Sequence, residues 1–418
     1  MKKNIENFIL MLIIILGSIG IIMVYSSTVN SPEMDNIYIK QMIAFFVGFA
    51  CILIMRKFSY KVLEELSILF YIISVMLLIG LHFAGIEING SKRWYDLGLF
   101  YFQPVEFAKP AVILFLALLL EKYDRMMFAF VTVIIVVILV LIQPDAGSSF
   151  LFFPVLVMML YVSRVNTRWI TFIIPFMCII VLTLFAESYL NVRSSTIINI
   201  KYLVYPLIVT VIIYFLFKEV SSIDKNIRIK HFILITVMLW CSIGTGIVGS
   251  RVLRGYQKKR IISFLMPELD PLGAGYNIRQ SLMAVGSGKI FGKGLFSGTQ
   301  TQLGFLPVRH NDFIFATIAE ELGLLGSVAV LLLLVLLLWQ IIRIMEITDE
   351  LGGRLIAAGI FSLIFSQVIL NIGVTLGLLP VIGIQLPFIS YGGTGLVSFM
   401  IMIGILLNIN RKTGIIGK

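Results

Sequence analysis

Apolar residues in this chain come in long unbroken runs separated by short polar segments, neither at the 3.6-residue period of a half-buried soluble helix nor in strict alternation. A helix that crosses hydrocarbon needs about 20 mostly apolar residues, because backbone polar groups there must be satisfied within the segment. On that rule the pattern predicts twelve spans, roughly at 8–26, 39–55, 65–84, 104–120, 128–143, 147–163, 169–187, 199–217, 231–250, 312–342, 355–379 and 387–410. Gln143-Pro144-Asp145-Ala146-Gly147 separates the fifth from the sixth, and its Pro and Gly suit a tight turn. No barrel-like alternation is present, so the predicted fold class is all-α: a polytopic integral membrane helix bundle, read as one domain over 1–418. Met1-Lys2-Lys3 followed by the apolar stretch from Phe8 to Met23 imitates a signal peptide. Val24-Tyr25-Ser26-Ser27 lacks a small-residue cleavage pattern, however, and the stretch is read as an uncleaved first span.

The polar connections set the expected orientation. Lys2 and Lys3, Arg56 to Lys61, Lys122 to Arg125, Arg164 to Arg168, Lys218 to Lys230 and Arg411 to Lys418 all fall on one side of the predicted bundle. Positively charged short loops mark the cytoplasmic side, which predicts both termini inside. The connection at 251–311 breaks this pattern. It lies outside, yet carries Arg251, Arg254, Lys258, Lys259, Arg260, Arg279, Lys289, Lys293 and Arg309 against Glu268 and Asp270. Loops longer than about 15 residues are usually functional or disordered. Ile261, Ile262, Phe264 and Leu265, followed by Pro267 and Pro271, predict a segment that partly hugs the membrane surface. Its positive charge suits either anionic lipid headgroups or an anionic substrate.

Composition narrows the choice. Of the residues, 59% are hydrophobic and 13% charged, which excludes a water-soluble enzyme, and the net charge of +11 on such a chain does not call for a nucleic-acid partner. Cys51, Cys178 and Cys241 sit in apolar runs and form no disulfide or zinc spacing. His82, His231 and His310 are too sparse for a histidine-based metal site.

Within the long loop, Asp270-Pro271-Leu272-Gly273-Ala274-Gly275-Tyr276 is rich in turn formers. Asp270 either starts a turn or serves as a lone carboxylate among cations, able to act as a general base or to ligate a metal. Gly286-Ser287-Gly288-Lys289 and Gly292-Lys293-Gly294 do not fit the nucleotide-loop spacing, and their glycines are expected to let the chain hug a surface. Glu106 and Lys109, three apart on one helix face, are expected to face the bundle interior, either neutralising one another or supporting the site. Asp312 suits a helix start, whereas Glu320 lies too deep in the tenth span to cap it.

Several of these stretches occur together and in order: Asn89-Gly90-Ser91-Lys92-Arg93-Trp94, Gln103 to Lys109, Gln143 to Gly147, Tyr256-Gln257 with Arg260-Ile261, Asp270 to Tyr276, His310 to Phe315, and Pro387 to Gly393. From about residue 25 to 410 the chain thereby resembles the SEDS (shape, elongation, division and sporulation) family. Gly298 to Pro307 is closer to its RodA-like elongation branch than to the FtsW division branch. The resemblance implies a peptidoglycan glycosyltransferase that polymerises lipid II into glycan strands at the outer face of the bacterial cytoplasmic membrane, beside a class B penicillin-binding transpeptidase. It places Asp270 at the family's essential carboxylate position. It marks Glu106, Lys109, Arg93, Arg254, Arg260, Gln280, Lys293, His310, Asp312 and Ser390 as substrate-binding or supporting candidates. A divalent cation, Mg or Mn, is implied without named ligands. Val105, Val308 and Lys289 depart from the usual Ser, Glu and Gly. Ten spans are typical of the family, so the additional pair is assigned to a hairpin at about 169–217.

Two other functions fit a polytopic chain with buried charges: a flippase for lipid-linked precursors, and a non-catalytic scaffold for a transpeptidase. Transporters often show two similar halves with binding at the midplane, whereas this sequence has no convincing repeat and concentrates its distinctive charges in one loop. A scaffold has little need of a carboxylate set among phosphate-binding cations.

Overall fold

The computed structural model describes residues 2–30, 34, 36–88, 91–98, 100–122, 126–163, 183, 240–241, 243–244, 255–266, 268, 270 and 273–412. The predicted spans at 169–187 and 199–217, nearly all of 231–250, and Arg254 lie outside them. The chain divides into two compact units, one formed by 1–165 with 277–418 and the other by 166–276.

In the first unit, helices α1 (Lys2–Thr28), α2 (Ile37–Met55), α3 (Tyr60–Glu65) and α4 (Ser67–Ala84) lead into three short strands, β1 (Ile86–Ile88), β2 (Ser91–Asp96) and β3 (Tyr101–Phe102). Then come α5 (Pro104–Lys122), α6 (Met126–Ile142) and α7 (Ala146–Val162). Described helices resume with α8 (Gly255–Leu265) in the second unit, α9 (Ala274–Ser287) across the boundary, and α10 (Thr299–Gln302), α11 (Ile314–Ile347), α12 (Leu351–Thr375) and α13 (Gly393–Lys412) in the first. Among the described residues six helices are long and apolar enough to cross a membrane: α1, α2, α4, α11, α12 and α13. α6 and α7 are apolar but shorter. This is a multi-pass, all-α membrane architecture.

Hydrocarbon gives helices little hydrophobic reason to associate, so close packing at small residues does much of the work. A side chain at Gly48 of α2 would overlap Met400 of α13, and one at Gly404 of α13 would lie 2.7 Å from Met55 Cβ and 3.1 Å from Ile52. Gly359 of α12 meets Ile113 of α5 at 2.8 Å and Met159 of α7 at 2.9 Å in the same sense. α5 is buried along nearly its whole length, Glu106 and Lys109 included, and is the central helix of the unit.

Two local departures from the predicted pattern have physical causes. Residues 85–103, expected as a loop, fold as an antiparallel sheet in the order β1-β2-β3, with Ile88 opposite Ser91 and Tyr95 opposite Phe102. Strands of two to six residues are too short to leave a readable alternation. The sheet is fixed to α4 by Tyr95 Oη, which donates to Leu77 O at 2.8 Å and is accommodated by the bare Gly80. The last helix begins at Gly393 rather than near 387. Pro387-Phe388-Ile389 is apolar because it packs on α1, where a side chain at Gly20 would sit 2.8–2.9 Å from the Phe388 and Ile389 backbone.

α11 is broken at Gly323, whose φ of 68° and ψ of −165° are open to glycine alone. A break in a buried helix orphans carbonyls before it and N–H groups after it. Here residues 289–294 satisfy both sets. Lys293 N and Gly294 N donate to Glu320 O and Glu321 O at 3.0 Å each, while Leu324 N and Leu325 N donate to Lys289 O and Ile290 O at 2.9 and 3.2 Å. Gly288 and Gly292 permit this approach, since side chains there would overlap the Ala319 and Glu321 carbonyls. The glycines that mimic a nucleotide loop serve backbone docking.

At the other end of α11, Glu64 of α3 and Glu121 of α5 crowd onto Gly352 at the start of α12. Glu64 is 3% exposed. Burial first, then hydrogen bonding to and charge repulsion from Glu121, raise its carboxyl to about 8, against the lowering pull of Lys122 and Lys61. A carboxyl raised in the folded state contributes stability that is complete below its unfolded value and is lost as pH climbs through the folded one. We therefore expect the thermal unfolding temperature in detergent to fall between about pH 5 and pH 8, and Glu64→Gln to flatten that fall. An unchanged slope in the variant would assign the loss to other groups.

Candidate functional site

In the second unit, Asp270 follows α8 and precedes α9. Its Oδ2 accepts from Ser263 Oγ at 2.7 Å and from Ala274 N, the first residue of α9, at 2.9 Å. Gly273 N reaches the Asp270 carbonyl at 3.4 Å. A side chain at Gly273 would lie 2.8 Å from the Asp270 carboxyl carbon, so the glycine is what lets the carboxylate fold back over the helix start. Exposed N–H groups and the helix dipole both favour a negative charge there. Oδ1 accepts no hydrogen bond from the described residues, and the side chain is half-buried. Asp270 therefore starts the turn, and its second carboxylate oxygen has no donor among the described residues. Arg260 stands three residues before Ser263, on the same face of α8.

The other candidates described belong to the first unit. Lys109 Nζ donates to Glu106 Oε1 at 2.5 Å, with 2% and 6% of the two side chains exposed. Lys109 also stands 5.9 Å over the Phe399 ring, while Ser398 Oγ donates to Glu106 O at 2.7 Å. Glu106 Oε2 is buried and has no hydrogen-bond partner among the described residues. Near it Gly395 keeps the approach to Gln385 Oε1 open. One oxygen of the pair is thus spoken for and the other is turned inward, unpaired.

Arg93 acts as a strap. From β2 its guanidinium donates to Gln143 O at 3.3 Å and to Pro144 O, and it lies 3.7 Å from Asp145, which caps α7 by accepting from Ser148 N at 3.2 Å. The sheet is thereby held to the α6–α7 turn. Lys293 reaches Glu320 at 2.9 Å. Glu320, too deep to cap its own helix, caps α10 instead, accepting from Gln300 N at 2.9 Å, Thr301 N at 3.0 Å and Thr301 Oγ1 at 2.7 Å. Glu321 accepts from Ser26 Oγ at 2.6 Å and Gln302 Nε2 at 3.0 Å.

His310, Asp312 and Ser390 are gathered mainly through backbone. Ser390 Oγ donates to Asn311 O and accepts from Leu386 N, both at 2.7 Å; Tyr391 N donates to His310 O at 2.9 Å; Asn371 Nδ2 donates to Asp312 O at 2.9 Å. Asp312 precedes the helix start, where Phe313 is the N-cap residue. His310 lies 5.8 Å from the Tyr391 ring, and its Nδ1 is buried without a hydrogen-bond partner among the described residues. Burial, then the charge of Arg309, pushes its imidazole down to about 4, so it is neutral at physiological pH. Gln280 of α9 likewise holds a buried Oε1 with no partner among them.

Sequence reasoning passed over Ser263, Gln41, Asn371 and Gln385. Gln41 and Asn371 were signalled by being lone amides inside apolar spans, where a polar side chain needs a partner. Gln41 ties the 390–392 turn by donating to Ser390 O at 3.1 Å and accepting from Gly392 N at 3.2 Å.

Comparison with known proteins adds a decisive observation. The family model described as "Cell cycle protein", for FtsW, RodA and SpoVE, matches residues 6–201 and 203–414. The chain belongs to this family. Members similar to it include "Peptidoglycan glycosyltransferase RodA" of Treponema pallidum (strain Nichols), 32% identical over 98% of each chain. Another is "Peptidoglycan glycosyltransferase MrdB" of Escherichia coli (strain K12), 31% identical over 89% of this chain and 85% of that one. A chain in a solved structure described as "Structural coordination of polymerization and crosslinking by a peptidoglycan synthase complex" matches with a TM-score of 0.67 at 24% identity, covering 97% of this chain and 98% of that one. That likeness shows the fold that FtsW/RodA/SpoVE members share with it.

The Glu106–Lys109 pair generates a test. Removing one partner of a buried ion pair leaves an uncompensated charge and costs about 3–5 kcal/mol, whereas removing both often restores stability. Glu106→Gln and Lys109→Met should each lower the unfolding temperature, and the double variant should regain most of the loss. Additive losses in the double variant would show that the two side chains are not coupled.

Proposed function

We propose that this chain is a peptidoglycan glycosyltransferase that polymerises lipid II into glycan strands, with Asp270 as general base. Membership of the family and two relatives named for that activity support the reaction class. The observation that carries the residue is the asymmetric seating of Asp270, one oxygen tethered by Ser263 and Ala274 and the other without a donor among the described residues.

The reaction needs one proton acceptor. An acceptor-sugar hydroxyl gives its proton to Asp270 Oδ1 as its oxygen bonds to the donor's anomeric carbon. The anomeric bond to pyrophosphate breaks, its electron pair leaves with the lipid pyrophosphate, and the α-linked donor becomes a β-linked chain. Pyrophosphate is already a good leaving group, so positive charge matters more than a general acid. Arg260 and Lys259 on α8, and Arg254 in the same sequence cluster, supply it.

Among the described residues no three His, Cys, Asp or Glu side chains gather into a metal cage. A divalent cation, Mg or Mn, would fit here as a companion of the substrate phosphates and would neutralise their charge, with no protein ligand assigned to it. His310 Nδ1 and the inward oxygen of Glu106, both in the first unit, have no hydrogen-bond partner among the described residues and keep capacity for one. The solved peptidoglycan synthase complex of like fold supports a transpeptidase partner, which we assign to the class B penicillin-binding proteins.

Asp270→Asn keeps the size and the turn but removes the charge and the lone pair that a base uses. Polymerisation of labelled lipid II, assayed with the cognate transpeptidase present, should drop by about 10²- to 10⁴-fold while yield and complex formation persist. Wild-type rates in that variant would exclude Asp270 as the base. If the parent protein moves lipid II between leaflets of sealed vesicles and makes no polymer, the flippase reading takes its place.

The same reading sets the orientation, with both termini cytoplasmic and 251–311 outside. In a variant freed of Cys51, Cys178 and Cys241, a cysteine at exposed Ser297 should react with an impermeant thiol reagent on intact cells, and one at Ser221 only after lysis. The reverse labelling would move the proposed chemistry to the wrong side for its product.

A further inference from the structure

We infer that Ser263 is the positioning residue of Asp270: its one hydroxyl proton holds Oδ2 while the carboxylate is charged and turns to the Lys259 carbonyl once Asp270 has taken up a proton. The inference rests on the reading of Asp270 as base and deepens it.

The geometry that points there is a mismatch of protons and acceptors. Ser263 Oγ lies 2.6 Å from Lys259 O and 2.7 Å from Asp270 Oδ2, both within hydrogen-bond reach. A hydroxyl has one proton, and both partners are acceptors while Asp270 is ionised. Ser263 is 0% exposed, so no bulk water reaches the hydroxyl to supply the missing donor. One of the two short contacts is therefore unsatisfied at any moment, and the charge on Asp270 decides which. An ionised acceptor draws the stronger bond. With the carboxylate charged, the hydroxyl points at Oδ2, reinforced by Ala274 N–H at 2.9 Å. When a substrate hydroxyl delivers its proton to Oδ1, Oδ2 becomes a neutral carbonyl oxygen still served by Ala274. The serine proton then swings to Lys259 O, four residues back on α8. That swing is a rotation about the Cβ–Oγ bond; it moves no heavy atom, and no proton leaves the serine.

The consequence for catalysis is a base whose change of charge is met by one hydroxyl rotation, with no heavy atom displaced. A donor already in place on the charged carboxylate keeps the reorganisation during reaction small in a site shielded from water. The tether also decides which oxygen reacts: with Oδ2 occupied by two donors, Oδ1 is left for the substrate. A serine that only packed against α8 would have neither effect.

The test uses the full-length protein with its cognate transpeptidase and labelled lipid II, across pH 5 to 9. A hydrogen bond donated to the charged form of an acid resists its protonation. Ser263→Ala should therefore lower kcat roughly tenfold with KM little changed. It should also move the acidic limb of the kcat profile upward by about one pH unit. Ser263→Thr, which keeps the hydroxyl, should restore both the rate and the limb. An alanine variant with a parental acidic limb, or a threonine variant no better than alanine, overturns the inference. Should Ser263→Ala fail to yield folded protein, Ser263→Cys carries the same expectation at smaller amplitude through its weaker donor, and a parental limb there is equally fatal. Asp270→Asn run in parallel separates the two levels: activity in that variant removes the base itself, whereas its inactivity beside a parental Ser263→Ala removes the positioning role alone.

Discussion

A helix broken inside an apolar bundle leaves polar groups that water cannot reach, and the break of α11 at Gly323 is the constraint to which this end of the first unit answers. Four backbone bonds to residues 289–294 repair the ladder. The two carboxylates just before the break, Glu320 and Glu321, are each fully buried. Either would cost several kcal/mol if left unpaired. Glu320 is consumed by Lys293 and the start of α10, and Glu321 by Ser26 and Gln302. The loop after α9, the end of α1 and the entry to α11 are thus one hydrogen-bonded body. Backbone and carboxylate hydrogen bonds, not a hydrophobic surface, set its shape.

The Asp270 carboxylate is held by a lighter version of the same device. Asp270 caps a helix it does not belong to, as Glu320 does, but with two donors on one oxygen where Glu320 has donors on both. Saturated acceptors build structure. An acceptor left half-satisfied at the edge of a turn keeps capacity for another proton donor, and that difference separates the catalytic candidate from the structural carboxylates more sharply than residue type or charge does.

The sequence was legible where one property ran along many residues. Apolar runs gave the all-α membrane class and the long helices α1, α2, α4, α11, α12 and α13, because these do not depend on what lies across the bundle; Asp270 stood out locally as one of two acidic residues, with Glu268, in a basic loop. The family membership was legible too, in ordered short motifs from Asn89 to Gly393. Hidden from that reading were the sheet at 86–102, whose strands are too short to show alternation, and three features set by longer-range pairing: the Gly323 break, Arg93 as a strap to Gln143 and Pro144, and Glu320 capping α10. Those three depend on a few backbone or side-chain bonds to distant residues, which leaves no periodic trace. Ser263 was hidden for another reason. A serine one residue before Phe264 in an amphipathic segment has no local mark of its partner, seven positions on.

The Gly323 break also bears on how the chain is assembled. Residues 289–302 are synthesised before α11, and Glu320 and Glu321 emerge later, so a ribosome must complete the first two turns of α11 before either carboxylate can meet its donors. Until then the entry of α11 carries two charges that hydrocarbon rejects. Its insertion as a span is therefore coupled to the docking of a segment already made, and to the earlier-made α1, which supplies Ser26. α1 and α11 are partners in biogenesis, although nearly three hundred residues of synthesis lie between Ser26 and Glu321.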